Sequence, residues 1–367
     1  MLTLYTHIPF CEKKCFYCSF VVSVGQKQRT DQYIDALKQE AGKYQNKVLD
    51  ALYLGGGTPS FLSCDQLESL FKFLHSHFQI KDGAEITIEV NPEDVSQDKL
   101  KILHQCGVNR ISLGVQTFNE SYLKYLGRIH NAAKVLQAYP LIKKSGFSNV
   151  SLDLMFGFPH QSIEEIEADL NQIQSLSPEH VSVYSLTIEQ NSRFFVKKVQ
   201  LAQDSIQAQQ YEFVVRRLKE IGFSQYEVSN FAKPGKQSAH NMNYWQGGDY
   251  IGLGVGAHSH FNGTRQWNVS RLIEYLDKIK KGQSVVDGQE ILNSEKRFQE
   301  TFLFGLRMNQ GVCLSELQER FGISFQQDQL EQIKMLVENG LLDREDNRLK
   351  ATDKGRLVLD EISARLI

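Results

Sequence analysis

The chain has 367 residues, 41% of them hydrophobic and 23% charged, with a formal net charge of −2. This composition suits a soluble protein that buries a sizeable core, either as one large domain or as a large domain with a small companion. It gives no global electrostatic case for nucleic acid or an anionic membrane, and no apolar run approaches the roughly 18 residues of a membrane span.

The first predicted element is a strand over 2–8, which runs straight into Cys11-Glu-Lys-Lys-Cys15-Phe-Tyr-Cys18. No basic n-region, long apolar core or cleavage site lies ahead of it, and the other cysteines, Cys64, Cys106 and Cys313, are scattered. A reducing, cytoplasmic location is the expectation. A loop this short aims three thiolates at one point. Three are too few to close a tetrahedral zinc site, and iron-sulfur clusters bound by four cysteines need one more. A [4Fe-4S] cluster held by three leaves one iron open to a small molecule. A zinc knuckle completed by a distant group such as His7 fits the spacing too, as do incidental thiols, and spacing alone leaves the three open.

Further strands are expected at 51–54, 85–90, 110–115, 150–156 and 181–187. They alternate with amphipathic stretches near 30–45, 65–77, 96–106, 131–145 and 163–175, and another follows at 205–221. Six βα units in succession imply an α/β fold with a parallel sheet, doubly wound or rolled into a barrel. Ligands of such folds sit at the C-terminal strand ends. Polar groups stand there one after another: the cysteines, then Gly55-Gly-Gly-Thr-Pro59, Glu89, Gln116, Asp153 and Ser185-Leu-Thr187. Arg128, in the connection after the fourth strand, can meet a carboxylate bidentately. Any one of these groups is equally compatible with simple solvation; the succession is the signal.

Beyond 222 the rhythm breaks. Residues 225–232 read as one extended segment, followed by a polar loop and His240-Asn-Met-Asn-Tyr-Trp245. The glycine-rich stretch 247–259 reads either as a loop wrapped around a ligand or as a buried packing loop. Helices over 295–308, 315–321 and 327–339, a charged hairpin at 340–350 and a last helix at 353–366 suggest a winged-helix-like module. Residues 294–367 carry 11 Lys and Arg against 13 Asp and Glu, which is no basic footprint, so no nucleic-acid partner is expected. The expected units are 1–222, 223–293 and 294–367.

The carrying residues resemble the radical S-adenosylmethionine superfamily, close to the oxygen-independent coproporphyrinogen III oxidases and their relatives, the HemW-type haem chaperones. They are Tyr5-Thr-His-Ile-Pro-Phe-Cys11, Cys15, Tyr17-Cys18, Gly55–Pro59, Ile88-Glu-Val-Asn-Pro-Glu93, Ser112-Leu-Gly-Val-Gln116, Asp153-Leu-Met-Phe-Gly-Phe-Pro159, Tyr226-Glu-Val-Ser-Asn-Phe-Ala232 and His240–Trp245. The resemblance spans nearly the whole chain and implies a partial (β/α)6 barrel with the C-terminal α+β module. It implies that Cys11, Cys15 and Cys18 hold a [4Fe-4S] cluster whose unique iron chelates S-adenosylmethionine. An electron from the cluster then cleaves the sulfonium to a 5′-deoxyadenosyl radical. By the same resemblance Tyr5 lies beside the cofactor, and Gly56, Gly57 and Thr58 meet its methionyl amino end. Glu89, Gln116, Arg128 and Asp153 hold its carboxylate and ribose, with the backbone near Thr187 against adenine.

Two departures point within the branch. The oxidases carry a fourth cysteine two residues after the third, where this chain has Phe20, and they have an N-terminal extension where only ten residues precede Cys11. Both departures look like the haem chaperones, as does His240-Asn-Met-Asn-Tyr-Trp245. That resemblance implies haem as cargo, with His240 as an axial ligand and Tyr244 and Trp245 as flat faces for the porphyrin. A structural loop with a hydrogen-bonded histidine is the alternative for that motif; His258 and His260 are rival ligands, and His7 is expected to support the cluster from behind. The expected partners are haem, acceptor haemoproteins including membrane-associated ones met at the membrane surface, and a reductant protein. The rival reading is an enzyme, an oxidase that decarboxylates coproporphyrinogen III propionates.

Overall fold

A computed structural model describes residues 1–366. Six parallel strands form its centre: β1 (Leu2–Ile8), β2 (Val48–Gly56), β3 (Gln79–Val90), β4 (Arg110–Gln116), β5 (Val150–Phe156) and β6 (His180–Ser185). They lie side by side in sequence order. Each is followed by a helix, among them Thr30–Ala41, Cys64–His77, Gln97–Gln105, Ala132–Lys144, Ile163–Leu176 and Asp204–Glu220. The partial (β/α)6 arrangement is present, and the sheet stays open at both edges.

The strands alternate with period two. Leu4, Leu52, Leu54, Ile88, Ile111, Leu113, Leu152, Leu154, Val181 and Val183 join the large apolar cluster shared with the helices. The residues between them, including Tyr53, Glu89, Arg110, Ser112, Asp153 and Ser182, line a cavity on the other face. Helix starts are fixed locally: Ser63 with Gln66, and Ser162 with Glu165, form capping boxes.

The region after 222 extends this sheet. The expected single segment at 225–232 is a hairpin, β7 (Ser224–Glu227) and β8 (Asn230–Ala232), and β8 closes antiparallel on β6. The glycine-rich stretch supplies β9 (Asp249–Leu253), which pairs parallel with β1 as a seventh parallel strand. Then β10 (His258–Phe261), β11 (Thr264–Asn268) and β12 (Val286–Ile291) complete twelve strands by antiparallel pairing. The glycines serve close approach within the protein. A Cβ on Gly252 would lie 2.0 Å from the His258 carbonyl oxygen, and one on Gly254, at φ +105°, would lie 2.3 Å from the Tyr33 hydroxyl.

Residues 239–245 form a helix, Ala239–Trp245, capped by the Ser238 hydroxyl. It packs against β1, β2 and β9. The C-terminal helices Ser294–Gly305, Leu314–Phe321 and Gln327–Glu338 surround their own apolar cluster with Phe298, Phe302 and Phe325. A three-stranded sheet of Val312–Cys313, Leu342–Glu345 and Arg348–Ala351 completes a winged-helix-like module, and the last helix divides into Asp353–Arg356 and Leu359–Arg365. Among the described residues no helix is long and apolar enough to cross a membrane.

Gly254→Ala combines a left-handed backbone with a collision against a buried phenol, so a loss of about 2–5 kcal/mol is expected. Gly235→Ala, at φ +73° with nothing within 4 Å of the added Cβ, should cost only about 1–2 kcal/mol. Denaturant titration of the two variants side by side checks whether crowding, beyond backbone strain, accounts for the difference.

Candidate functional site

The C-terminal strand ends, the cysteine loop and part of the C-terminal module enclose a cavity of about 940 Å³. Cys11, Cys15, Cys18, Gly56, Gly57, Thr58, Glu89, Gln116, Arg128, Asp153 and Thr187 all line it. The structure brings these expected residues together; Tyr5 alone of the expected cluster and cofactor residues lies one layer behind, its ring stacked on Tyr53 at 6.1 Å.

The cysteine loop is tied to three strand ends by a circuit of polar contacts. Cys11 Sγ lies 3.4 Å from the Thr58 hydroxyl, and Asn91 Nδ2 donates to that hydroxyl at 3.2 Å. Arg128 Nη2 donates to Asn91 Oδ1 at 2.7 Å and to the Gly114 carbonyl at 3.0 Å, while Nη1 reaches Cys15 Sγ at 3.6 Å. Backbone bonds clamp the same loop: Phe16 N–H to the Leu126 carbonyl at 2.8 Å and Gly57 N–H to the Ile8 carbonyl at 2.8 Å. Gln116 reaches the cavity through a bulge between β4 and β5, where its φ is +69°.

The wall beyond is polar. Glu89 accepts from the Tyr53 hydroxyl at 2.8 Å and from Gly56 N–H at 3.0 Å, and burial raises its carboxyl to about 7. Asp153 accepts from Ser112 Oγ at 2.9 and 3.0 Å and from Ser151 Oγ at 3.1 Å, and burial raises its pKa as well. Arg110, 2% exposed, pairs with Glu85 at 3.8 Å. Asn91, Tyr53, Arg110 and Ser112 are site residues that sequence reasoning did not assign. For Tyr53 and Ser112 the available signal was the alternation itself, a polar residue between apolar neighbours on a strand; Asn91, past the end of β3, and Arg110, after Asn109, do not carry it.

His7 is turned away from the thiols. Its Nδ1 takes the Tyr5 hydroxyl at 3.0 Å and its Nε2 meets the Val21 carbonyl at 2.8 Å, with burial lowering its pKa to about 4. Among the described residues no three His, Cys, Asp or Glu side chains converge on a single metal ion. Both His7 ring nitrogens are already engaged, by the Tyr5 hydroxyl and the Val21 carbonyl, so a zinc knuckle through His7 would have to break one of these bonds.

Of the residues expected to hold haem, His240 and Tyr244 touch edge to face, with ring centroids 4.8 Å apart, while Trp245 packs toward the C-terminal module. His240 is 3% exposed and stacks on Tyr53, with ring centroids 4.8 Å apart. Tyr244 packs on Tyr250 at 4.4 Å, and Trp245 faces Phe304 at 6.3 Å with the Arg307 guanidinium over its ring. None of the three lines the cavity. Of the rival ligands, His258 is exposed and stacks on Trp267, and His260 sits against Tyr250. Both stand on β10, also outside the cavity lining.

An open parallel-strand barrel with a three-cysteine loop at its mouth is the architecture of radical SAM proteins. The radical SAM superfamily model matches residues 5–173, and the HemN C-terminal domain model matches 292–358. A protein named heme chaperone HemW from Bacillus subtilis (strain 168) is 38% identical over 99% of this chain and 98% of its own length. Its namesake from Escherichia coli (strain K12) is 40% identical over 70% of this chain and 69% of that protein. Among solved structures, coproporphyrinogen III oxidase (HemN) from Escherichia coli superposes with a TM-score of 0.89 at 26% identity, covering 100% of this chain and 89% of that one. The chain belongs to the HemW-type family of radical SAM proteins.

Glu89 gives the site a pH signature. Its carboxyl stays protonated to about pH 7 in the folded chain but ionises near 4.5 in the unfolded one. The folded state then binds more protons between those values, and its stability falls as pH rises through them. Glu89→Gln should remove that component. Thermal melts at pH 4.5 and pH 8 should show the variant gaining on the wild type at the higher pH; a difference independent of pH contradicts the assignment.

Proposed function

We propose that this chain holds a [4Fe-4S] cluster on Cys11, Cys15 and Cys18, binds S-adenosylmethionine in the adjoining cavity, and carries haem for transfer to acceptor haemoproteins. The observation that carries the reading is end-to-end similarity to proteins named heme chaperone, joined to a three-cysteine loop on the rim of the polar cavity. Burial pushes the Cys11 thiol up to about 12, so a thiolate there needs compensating positive charge. Cluster iron supplies such charge, and three cysteines leave one iron open to the cofactor.

When bound, the cluster supplies the electron that cleaves the sulfonium. This chain's residues bind and orient. Arg128 keeps a guanidinium beside Cys15 and offers it to the methionyl carboxylate. Glu89, expected with the carboxylate and ribose, is aimed at the Gly56 amide and in this reading would instead accept from the methionyl ammonium beside Gly56, Gly57 and Thr58; that cation favours the ionised carboxylate. Asp153 and Gln116 face the ribose, and the backbone at Thr187 borders the adenine. Tyr5 supports this wall from behind. The partners in this reading are haem, a reductant protein and acceptor haemoproteins, membrane-associated ones included. The residues 1–222, 223–293 and 294–367 act in it as barrel, sheet extension and module.

The similarity to the oxidase structure favours a second reading, oxidative decarboxylation of coproporphyrinogen III. Phe20 weighs against it: the side chain is 65% exposed on the cavity lining, at the position of the oxidases' fourth cysteine. Anaerobic reconstitution with iron and sulfide, followed by haem titration and transfer to an apo-haemoprotein, decides between them. The expected outcome is cluster absorbance and a paramagnetic signal that changes on adding S-adenosylmethionine, one haem per chain, and transfer. Cys15→Ser should lose the cluster signal. Absence of stoichiometric haem sinks the carrier reading, and vinyl product with matching 5′-deoxyadenosine from coproporphyrinogen establishes the oxidase instead.

A further inference from the structure

The motif helix Ala239–Trp245 turns its histidine inward, toward the cavity wall. Ser238 Oγ donates to Glu85 Oε1 at 3.1 Å, and His240 N–H points at the same oxygen at 3.4 Å. Asn243 Nδ2 pins the helix to Thr3 Oγ1 at 3.2 Å and to the Asp249 carbonyl at 2.8 Å. The helix is thus seated by contacts that do not involve the imidazole.

The imidazole occupies a slot between aromatic rings. It lies nearly parallel to Tyr53, with centroids 4.8 Å apart and planes at 22°, and to Tyr5, at 6.2 Å and 24°. Tyr244 meets it edge-on at 4.8 Å and 87°. Its Nδ1 is buried without a hydrogen-bond partner among the described residues. What the ring gives Tyr53, Tyr5 and Tyr244 is a flat face and volume.

Tyr53 carries that contact to the cavity. Its hydroxyl donates to Glu89 Oε1 at 2.8 Å, and Glu89 Oε2 takes Gly56 N–H at 3.0 Å. Tyr53, Glu89 and Gly56 line the cavity, and His240 does not. A hydrogen-bonded phenol keeps its direction only while its ring is held, and here the imidazole holds it.

We infer that His240 is a positioning residue for the cofactor wall, acting through Tyr53 to aim Glu89 at the methionyl end of S-adenosylmethionine. The inference rests on the cofactor-binding reading given above. It assigns the His-Asn-x-x-Tyr-Trp motif a role in the cofactor site, through the face of its histidine and not through a ring nitrogen.

The test is binding of radiolabelled S-adenosylmethionine to the anaerobically reconstituted protein by equilibrium dialysis. His240→Ala should raise Kd about tenfold, and Tyr53→Phe by a similar factor. The double variant should be little weaker than either single one, because both act through one contact. His240→Phe keeps the flat face and should stay within about threefold of wild type, a rescue that loss of a metal-ligand nitrogen would not allow. Wild-type affinity in His240→Ala, an equal loss in His240→Phe, or strictly additive losses in the double variant overturns the inference. So does loss of haem binding in His240→Ala with cofactor affinity unchanged. A wild-type protein that holds its cluster but binds no S-adenosylmethionine fails at the earlier reading, which separates the two failures.

Discussion

The site depends on one partly buried guanidinium. Arg128 reaches Cys15, Asn91 and the Gly114 carbonyl from a single position, and Asn91 passes the connection to Thr58 and Cys11. The cysteine loop has no helix or strand across Cys15–Cys18, only a turn bonded from Cys18 N–H to the Cys15 carbonyl at 3.3 Å; the strand ends tie that turn down through this circuit. A lysine there would supply charge without the planar fork that meets three acceptors at once. The same economy appears deeper in the sheet, where Arg110 faces Glu85 and the Asp153 carboxylate gathers serine hydroxyls. Closed barrels of this class fill their interior with apolar side chains. This open one keeps polar groups inside, several of them held by a neighbour, and takes its apolar stabilisation from the outer face.

Much of this was legible in the chain. Six strands and the polar residues at their ends follow from apolar runs of strand length alternating with stretches of helical period; their side-by-side order, open between a doubly wound sheet and a barrel on that pattern alone, is what the family resemblance implies. The cysteine spacing and Gly55–Pro59 mark the rim of the cavity, and both line it. What local pattern does not carry is partnership between distant segments. Residues 249–253 look like a glycine loop because their glycines answer crowding by Tyr33 and by the His258 backbone, neither of which is visible from composition. Residues 239–245 are short, aromatic and without a clear period, so neither their helix nor its inward direction could be read. Tyr5 stacks on Tyr53 and is not among the cavity-lining residues for a related reason: the sequence places it on β1 but not at a depth.

The motif helix also joins the two parts of the molecule. On its inner side His240 touches the wall of the barrel; on its outer side Trp245 meets Phe304 and lies under Arg307 of the C-terminal module. Arg320 adds bonds to the Gln246 and Gly247 carbonyls just past the helix end. The module in turn places Arg356, Leu357 and Asp360 on the cavity lining. Displacing the module would therefore pull on the helix that backs the cavity wall, which gives the two ends of the chain a mechanical connection.

The pairing of β1 with β9 sets a timetable. Leu2 lies opposite Asp249, so β1, made before the other strands of this sheet, occupies its middle and waits for a neighbour made far later. At about 5–20 residues per second that interval is on the order of tens of seconds. Through it the cysteine loop is already outside, attached to a strand with one edge bare. Such a strand invites pairing with a neighbouring nascent chain. Metal loading, if it began then, would act on a half-built scaffold, and the late glycine-rich segment is what ends that exposure.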